Sequence, residues 1–334
     1  MTHWNRRAML VAAGSGVLAA AGCASAPGRG GAVSLEPGIS PPLFYLGRTK
    51  VFALLADVAA PVARVEQPDA NPRVAGINDG IALDLLNGHI YWTDMGRPDE
   101  RDGSIHRCDL DGQNVVTVVA PGGTHTPKQL KIDSMAGKLY WSDREGMAVM
   151  RANLDGSGIE TIVVTGNPVA DAGDQSLWCV GMALDPARGH VYWTQKGGDN
   201  AGRGMIRRCD MAMPAGERAH TRTDIRNLFT RLPEPIDLDL ELTSRTIYWT
   251  DRGDETVSRA PMDPPQRYDP AKRLDREIIL RGLGEAIGVV IDLERDRLAW
   301  TNLEGDVGIA RLDGSGKRML ASGQGLLTGI AWAT

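Results

Sequence analysis

Phenylalanine is nearly missing from this chain of 334 residues, which has three Phe against 40 Gly and 19 Pro, a balance that points to many turns. Cysteine is scarce too. There are four, and setting Cys23 aside leaves Cys108, Cys179 and Cys209, an odd number without metal-ligand spacing, so no disulfide framework is implied. Cys108 and Cys209 sit at matching places in two similar segments and read as small buried strand residues. Positive charge is not in excess: the formal net charge is -5 and the isoelectric point about 5.7, which removes any general pull toward nucleic acid or anionic lipid. The six histidines are scattered with no His-x-x-x-His pair, so no zinc or other metal site is expected. A Gly-x-Ser-x-Gly elbow, a P-loop and a dinucleotide fingerprint are all absent. No organic cofactor is expected.

The first two dozen residues differ from the rest. Arg6-Arg7 precede an uncharged run from Ala8 to Gly22, which ends at Cys23. That arrangement reads as an export leader over residues 1–22. Asn5-Arg6-Arg7-Ala8-Met9-Leu10 resembles the twin-arginine pattern, and Ala20-Ala21-Gly22-Cys23 resembles a lipobox with Ala in place of the usual Leu. The expectation is lipidation at Cys23, a Gly/Pro/Ala/Ser-rich flexible tether over 23–40, and a body over 41–334. Such a protein is periplasmic or displayed at the cell surface and meets the membrane only through its lipid. Cleavage after Ala24-Ser25-Ala26 is the competing reading. The apolar run itself is short for a bilayer span, which needs about 20 residues, and no second long run follows.

Beyond the tether one pattern recurs: Ile90-Tyr91-Trp92-Thr93-Asp94, Leu139-Tyr140-Trp141-Ser142-Asp143, Val191-Tyr192-Trp193-Thr194-Gln195, Ile247-Tyr248-Trp249-Thr250-Asp251 and the eroded Leu298-Ala299-Trp300-Thr301-Asn302. The Tyr positions, with Ala299 in register, are 49, 52, 56 and 51 residues apart. Seven residues before each stands an acid that ends an apolar strand: Asp84, Asp133, Asp185, Glu241 and Asp292. After each comes a third strand and often a Leu-Asp-Gly turn, as at Leu110-Asp111-Gly112, which reads as a turn and not a calcium loop. Four short strands per unit, with no helical period, predict propeller blades. Gly329-Ile330-Ala331-Trp332 looks like a first strand with nothing after it, while Leu43-Phe44-Tyr45-Leu46 looks like a second strand with nothing before it. Placing Tyr45 in register with Tyr91, 46 residues apart, the last strand would complete the first blade. The predicted fold is all-β, a six-bladed propeller of four-stranded antiparallel blades closed by pairing of its two ends.

These repeats resemble the YWTD propellers of the low-density lipoprotein receptor family. The resemblance implies that the motif is structural, with Asp94, Asp143 and Asp251 supporting hydrogen bonds between blades, and with Gln195 and Asn302 as departures that still offer an amide oxygen.

In a propeller, the loops entering first strands and leaving second strands converge on one mouth of the channel. Here they supply Asp79, Lys128, Trp178, Glu234 and Glu285 on the way in, and Arg144, Glu145, Lys196, Arg252, Asp254 and Glu304 on the way out. The expected ligand site is Asp79, Lys128, Arg144, Trp178, Lys196, Glu234, Arg252 and Glu285, read as exposed loop charges able to orient a polar small molecule, glycan or peptide. Glu234, between Pro233 and Pro235, is the carboxylate presented most rigidly. The segments Pro214–Arg231 and Pro261–Arg281 are expected to project from the opposite face as solvated insertions or docking elements. Two functions remain open: a monomeric extracytoplasmic binding propeller, or a cofactor-independent lyase, cyclase or hydrolase using the same mouth. For the second, Trp178-Cys179-Val180-Gly181 and Tyr192-Trp193-Thr194-Gln195-Lys196-Gly197 are similar to segments of secreted fungal propellers, some linked to natural-product cyclisation. No catalytic residue can be assigned from these motifs.

Overall fold

The computed structural model describes residues 42–54, the backbone of 62–66, 76–97 and 100–334. The leader, the tether and Cys23 lie outside the described residues. The chain forms six four-stranded antiparallel sheets in succession. Blade 1 contains β1 (Leu43–Gly47), β2 (Lys50–Leu54) and β3 (Val62–Glu66). Blade 2 runs β4 (Asn78–Asp84), β5 (His89–Asp94), β6 (Ser104–Asp109) and β7 (Val116–Val119), and blade 3 runs β8 (Pro127–Asp133), β9 (Lys138–Asp143), β10 (Ala148–Asn153) and β11 (Glu160–Val164). Blade 4 is β12 (Cys179–Asp185), β13 (His190–Gln195), β14 (Gly204–Asp210) and β15 (Arg226–Leu232), preceded by a single 3-10 turn at Gln175–Leu177. Blade 5 is β16 (Pro235–Glu241), β17 (Thr246–Asp251), β18 (Thr256–Pro261) and β19 (Glu277–Leu280); blade 6 is β20 (Ala286–Asp292), β21 (Arg297–Asn302), β22 (Val307–Arg311) and β23 (Arg318–Ala321). The last strand, β24 (Leu327–Trp332), returns to pair antiparallel with β1 and completes blade 1.

The register of that closure corrects the alignment of the first motif. Phe44 pairs with Ala331 as Tyr91 pairs with Ala82, and Tyr45 pairs with Ile330 as Trp92 pairs with Ile81. Tyr45 therefore takes the tryptophan place and Phe44 the tyrosine place. Strand spacing, not residue identity, sets the register.

Why the motif repeats is visible in its contacts. The five motif tryptophans are at most 1% exposed and fill the spaces between blades. The Thr or Ser after each Trp lies in the second strand, opposite a bulge in the first strand of its own blade, and donates its hydroxyl to the first strand of the next blade. Thr93 donates to the Lys128 carbonyl at 2.9 Å, Ser142 to Gly181 at 3.0 Å, Thr194 to Ile236 at 2.6 Å and Thr250 to Ile287 at 2.6 Å; Thr301 reaches Thr328. In blade 1, Leu46 has no hydroxyl to offer at the corresponding position. The ring is completed by Thr328, which donates to the Asn78 carbonyl at 2.8 Å. Close approach requires small residues beside these bonds: a Cβ on Gly181 would stand 2.2 Å from the Ile236 carbonyl oxygen, and one on Gly80 2.4 Å from that of Lys128.

The motif acid has a different task from the one the resemblance implied. Asp143 accepts from the Thr124 hydroxyl and the backbone N–H groups of His125 and Thr126, and Asp251 accepts from the Glu234 N–H at 2.8 Å. Each clamps the segment arriving from the preceding blade, while the direct blade-to-blade bonds belong to the neighbouring hydroxyl. The departures keep that task with amides, since Gln195 donates to the Ser176 carbonyl and Asn302 to that of Leu283.

Both long insertions leave the third strand of their blade at the end of the channel opposite the candidate mouth and run back along the outer edge toward it. They are not free projections. Ala219 accepts from Val164 N–H in β11, and Pro270 accepts from Thr230 N–H in β15, so each insertion covers the outer strand of the preceding blade. The three described cysteines are buried strand residues, and burial pushes the Cys179 and Cys209 thiols up to about 12.

Candidate functional site

One backbone hydrogen bond, repeated in five blades, builds the mouth. The residue after each motif donates its N–H to the carbonyl of the residue directly before the first strand: Met95 to Ile77, Arg144 to Thr126, Lys196 to Trp178, Arg252 to Glu234 and Leu303 to Glu285. Incoming and outgoing loops are thus pinned side by side in every blade. The side chains they carry project into a common rim, and neighbouring blades bring them into contact.

The centre of that rim is Glu234, 2% exposed. Its Oε1 lies 2.9 Å from Lys196 Nζ and 2.6 Å from Arg252 NH2. Its Oε2 accepts from the Asn200 N–H at 3.2 Å. Arg252 also reaches Asp199 at 2.8 Å and Glu285 at 3.4 Å, and Lys196 reaches Asp199 at 3.0 Å. Trp178 is flanked by two cations, with the Arg144 guanidinium 5.0 Å and the Lys196 ammonium 5.8 Å from the centre of its ring. Arg144 is held in turn by Glu145 at 2.6 Å. Hydrogen bonding from Lys196, with the charges of Lys196 and Arg252, holds the exposed Asp199 carboxyl below the usual carboxylate range.

Six of the eight expected site residues therefore form one continuous set: Arg144, Trp178, Lys196, Glu234, Arg252 and Glu285, drawn from blades 3 to 6. Asp79 and Lys128 stand apart from it. They are not loop residues but the second residues of β4 and β8, where they form a buried ion pair with Met95 Sδ 3.5 Å from the ammonium. Burial lowers the Lys128 pKa, with Asp79 opposing and Arg144 reinforcing that shift. At the same register Val180, Ile236 and Ile287 make an apolar cluster, so the neck of the channel is charged on one side and greasy on the other. Two further rim candidates do not join. Asp254 turns outward to Arg276, and Glu304 caps the Glu285 N–H. The expectation of exposed loop charges is corrected for Lys196 and Glu234, which are 8% and 2% exposed. Asp199 was not foreseen, although its place three residues after Lys196 is the signal that would have found it.

No protein-family model matches the chain. A Pyricularia oryzae protein named low-density lipoprotein receptor-related protein 1 is 40% identical over 268 residues, 77% of this chain and 85% of its own length. The chain belongs to the YWTD-repeat propellers. A Cochliobolus heterostrophus protein named 3-hydroxyacyl-CoA dehydrogenase-like protein LAM1 is 39% identical over 265 residues, 76% of this chain, and this chain spans 56% of its length. Among solved structures, the nidogen/laminin complex contains a chain that superposes with a TM-score of 0.67 over 88% of this chain and 98% of its own, at 20% identity, a likeness of fold.

Within this YWTD propeller a cavity of about 390 Å³ lies not at the rim just described but at the other end of the channel. Lys131, Asp239, Ile81, Val290 and Trp332 are among its lining residues. Sequence reasoning directed attention to the wider loops and passed over these strand positions. Among the described residues no three His, Cys, Asp or Glu side chains gather as metal donors.

Proposed function

We propose that this YWTD propeller is an extracytoplasmic binding protein that captures a polar small molecule, glycan or peptide on the rim around Glu234. The observation that carries the reading is the contact chain from Arg144 through Trp178, Lys196, Glu234 and Arg252 to Glu285, which joins four blades at one channel mouth. Arg252 and Arg144 remain partly exposed and already lie in line with carboxylates, so a ligand carboxylate or hydroxyl could exchange for Asp199 or Glu285 with little rearrangement. The enzyme reading stands second because Glu234, the most rigid carboxylate of the rim, is buried and engaged by two cations and a backbone N–H, which leaves little of it open to a substrate.

The reading is tested by ligand-observed NMR of the purified chain against acidic sugars, neutral glycans and acidic peptides. A ligand that binds should weaken with added salt and by about tenfold or more in Arg252→Gln. Binding that is indifferent to Arg252 would move the site elsewhere. The same proposal places the body outside the cytoplasm, tethered by lipid at Cys23. Fatty-acid labelling that persists in Cys23→Ser, or is absent from the wild type, would overturn the tether.

A further inference from the structure

The six first strands surround the channel in matched register, and one ring of that register is anomalous. The residues paired with the motif tyrosine positions are Ala82, Lys131, Ala183, Asp239, Val290 and Ala331. Four are small or apolar. The other two carry opposite charges, and they come from blades 3 and 5, so the pair reaches past the small Ala183 of blade 4 that stands between them.

Their geometry is that of a pair held slightly apart, with the buried Asp237 also within reach of the Lys131 charge. Lys131 Nζ stands 3.9 Å from Asp239 Oδ1, within ion-pair range but beyond a hydrogen bond. The carboxylate cannot close the gap easily. Its Oδ1 accepts from the Leu240 N–H at 3.0 Å and its Oδ2 from the Ile291 N–H at 3.0 Å, which ties it to two blades. Both side chains are about one-fifth exposed, Lys131 21% and Asp239 19%, in the cavity of about 390 Å³. Most of the other lining side chains are apolar, including Ile81, Ala82, Val290, Ala331 and Trp332, with Ser134 and Thr334 as further polar ones. The volume falls within the range of small-ligand sites, which are mostly apolar with a few placed polar groups. A channel that only needed filling would carry another Ala or Val at these two positions, as the other four blades do.

We infer that this end of the channel is a second binding site, for an apolar α-amino acid. Such a molecule carries an ammonium and a carboxylate on one carbon, close enough together to meet Asp239 and Lys131 at once. Its side chain would lie against Trp332, Ile81 and Val290. A simple cation or anion would satisfy one partner and leave the other facing a like charge or an apolar wall. The inference does not depend on the rim around Glu234, which is at the opposite mouth.

Isothermal titration of the full chain with L-phenylalanine tests it. The expected result is saturable single-site binding, weaker on the order of tenfold for N-acetyl-L-phenylalanine and for phenethylamine, each of which lacks one charge. Glycine, which keeps both charges but has no apolar group, should also bind more weakly. Asp239→Asn and Lys131→Met should each reproduce the loss. Asp239→Asn is nearly isosteric, and the ligand series needs no variant, so a misfolded Lys131→Met leaves the test intact. No saturable heat with either L-phenylalanine or L-leucine at millimolar concentration would overturn the site. So would binding that survives Asp239→Asn or treats the N-acetyl compound as an equal, since then the charge pair only braces the channel.

Discussion

At the scale of single residues, two carboxylates give opposite responses to being removed. Glu234 separates Lys196 from Arg252, so Glu234→Ala leaves two cations facing each other over a vacated buried position. The loss should be about 2–3 kcal/mol of stability, below that of a fully buried pair because Asp199 stays as a counter-ion. A fall in the urea midpoint at unchanged slope would report it, and an unchanged midpoint would show that the cluster contributes to binding alone. Asp251 behaves otherwise. Burial, reinforced by Asp254, raises its carboxyl to about 7. In the unfolded chain that group has lost its proton by about pH 5, whereas the folded one keeps it toward 7, so the folded state binds more protons across that window. Stability should therefore fall as pH rises from about 4 to 7. Its Oδ1 accepts two N–H groups while its Oδ2 has no hydrogen-bond partner, an arrangement an amide can take over, as Asn302 does at the same place in blade 6. Asp251→Asn should flatten this part of the pH profile and stabilise the protein near neutrality. Thermal melts at pH 5 and 8 decide the matter: a wild-type and variant difference that does not grow with pH would sink the idea.

At the scale of strands and loops, the repeat is held by small interchangeable bonds, and these are what the sequence displays most openly. The hydroxyl after each Trp is one. Thr250→Val keeps shape but leaves the buried Ile287 carbonyl without its donor, which should cost about 1–3 kcal/mol; a loss under a few tenths would mean that strand pairing alone joins the blades. The tyrosine of the motif is another. Tyr91, Tyr140, Tyr192 and Tyr248 lie opposite Arg107, Arg151, Arg208 and Arg259, and where Ala299 replaces the Tyr, Ile309 replaces the Arg. Two of these arginines reach forward to the next blade, Arg151 to the Met211 carbonyl and Arg259 to that of Leu312, so the pair is a clasp that disappears as a unit. Blade boundaries, five motif copies and the convergence of the mouth loops were all legible because each depends on local pattern repeated in register. Burial of Glu234 and Lys196 was not, because it depends on how far loops from different blades overlap. The edge-covering task of the insertions was hidden for the same reason: Ala219 and Pro270 act through backbone carbonyls, which composition does not mark. Lys131 and Asp239 could have been found by aligning first strands alone.

At the scale of the whole ring, the antiparallel pairing of β24 with β1 joins the last described strand to the first. Leu327, Ile330 and Trp332 pack with Leu43, Tyr45, Ala299 and Ile309, so the closing strand bridges blade 1 and blade 6 as well as finishing a sheet. Deleting residues 327–334 should abolish the single cooperative melt of the body and expose the edge of β1; a truncated chain that melts at the wild-type temperature would show the ring to be stable open. The same arrangement has a temporal side. Synthesis runs from the N-terminus, so β1 is made before its partner, with the other five blades emerging between them. Until β24 clears the ribosome, the nascent chain carries an unpaired strand edge at its oldest blade and has no closed channel, hence neither mouth. Binding competence at both ends of the channel is consequently gained in one late step, once β24 has paired with β1, however early the middle blades have formed.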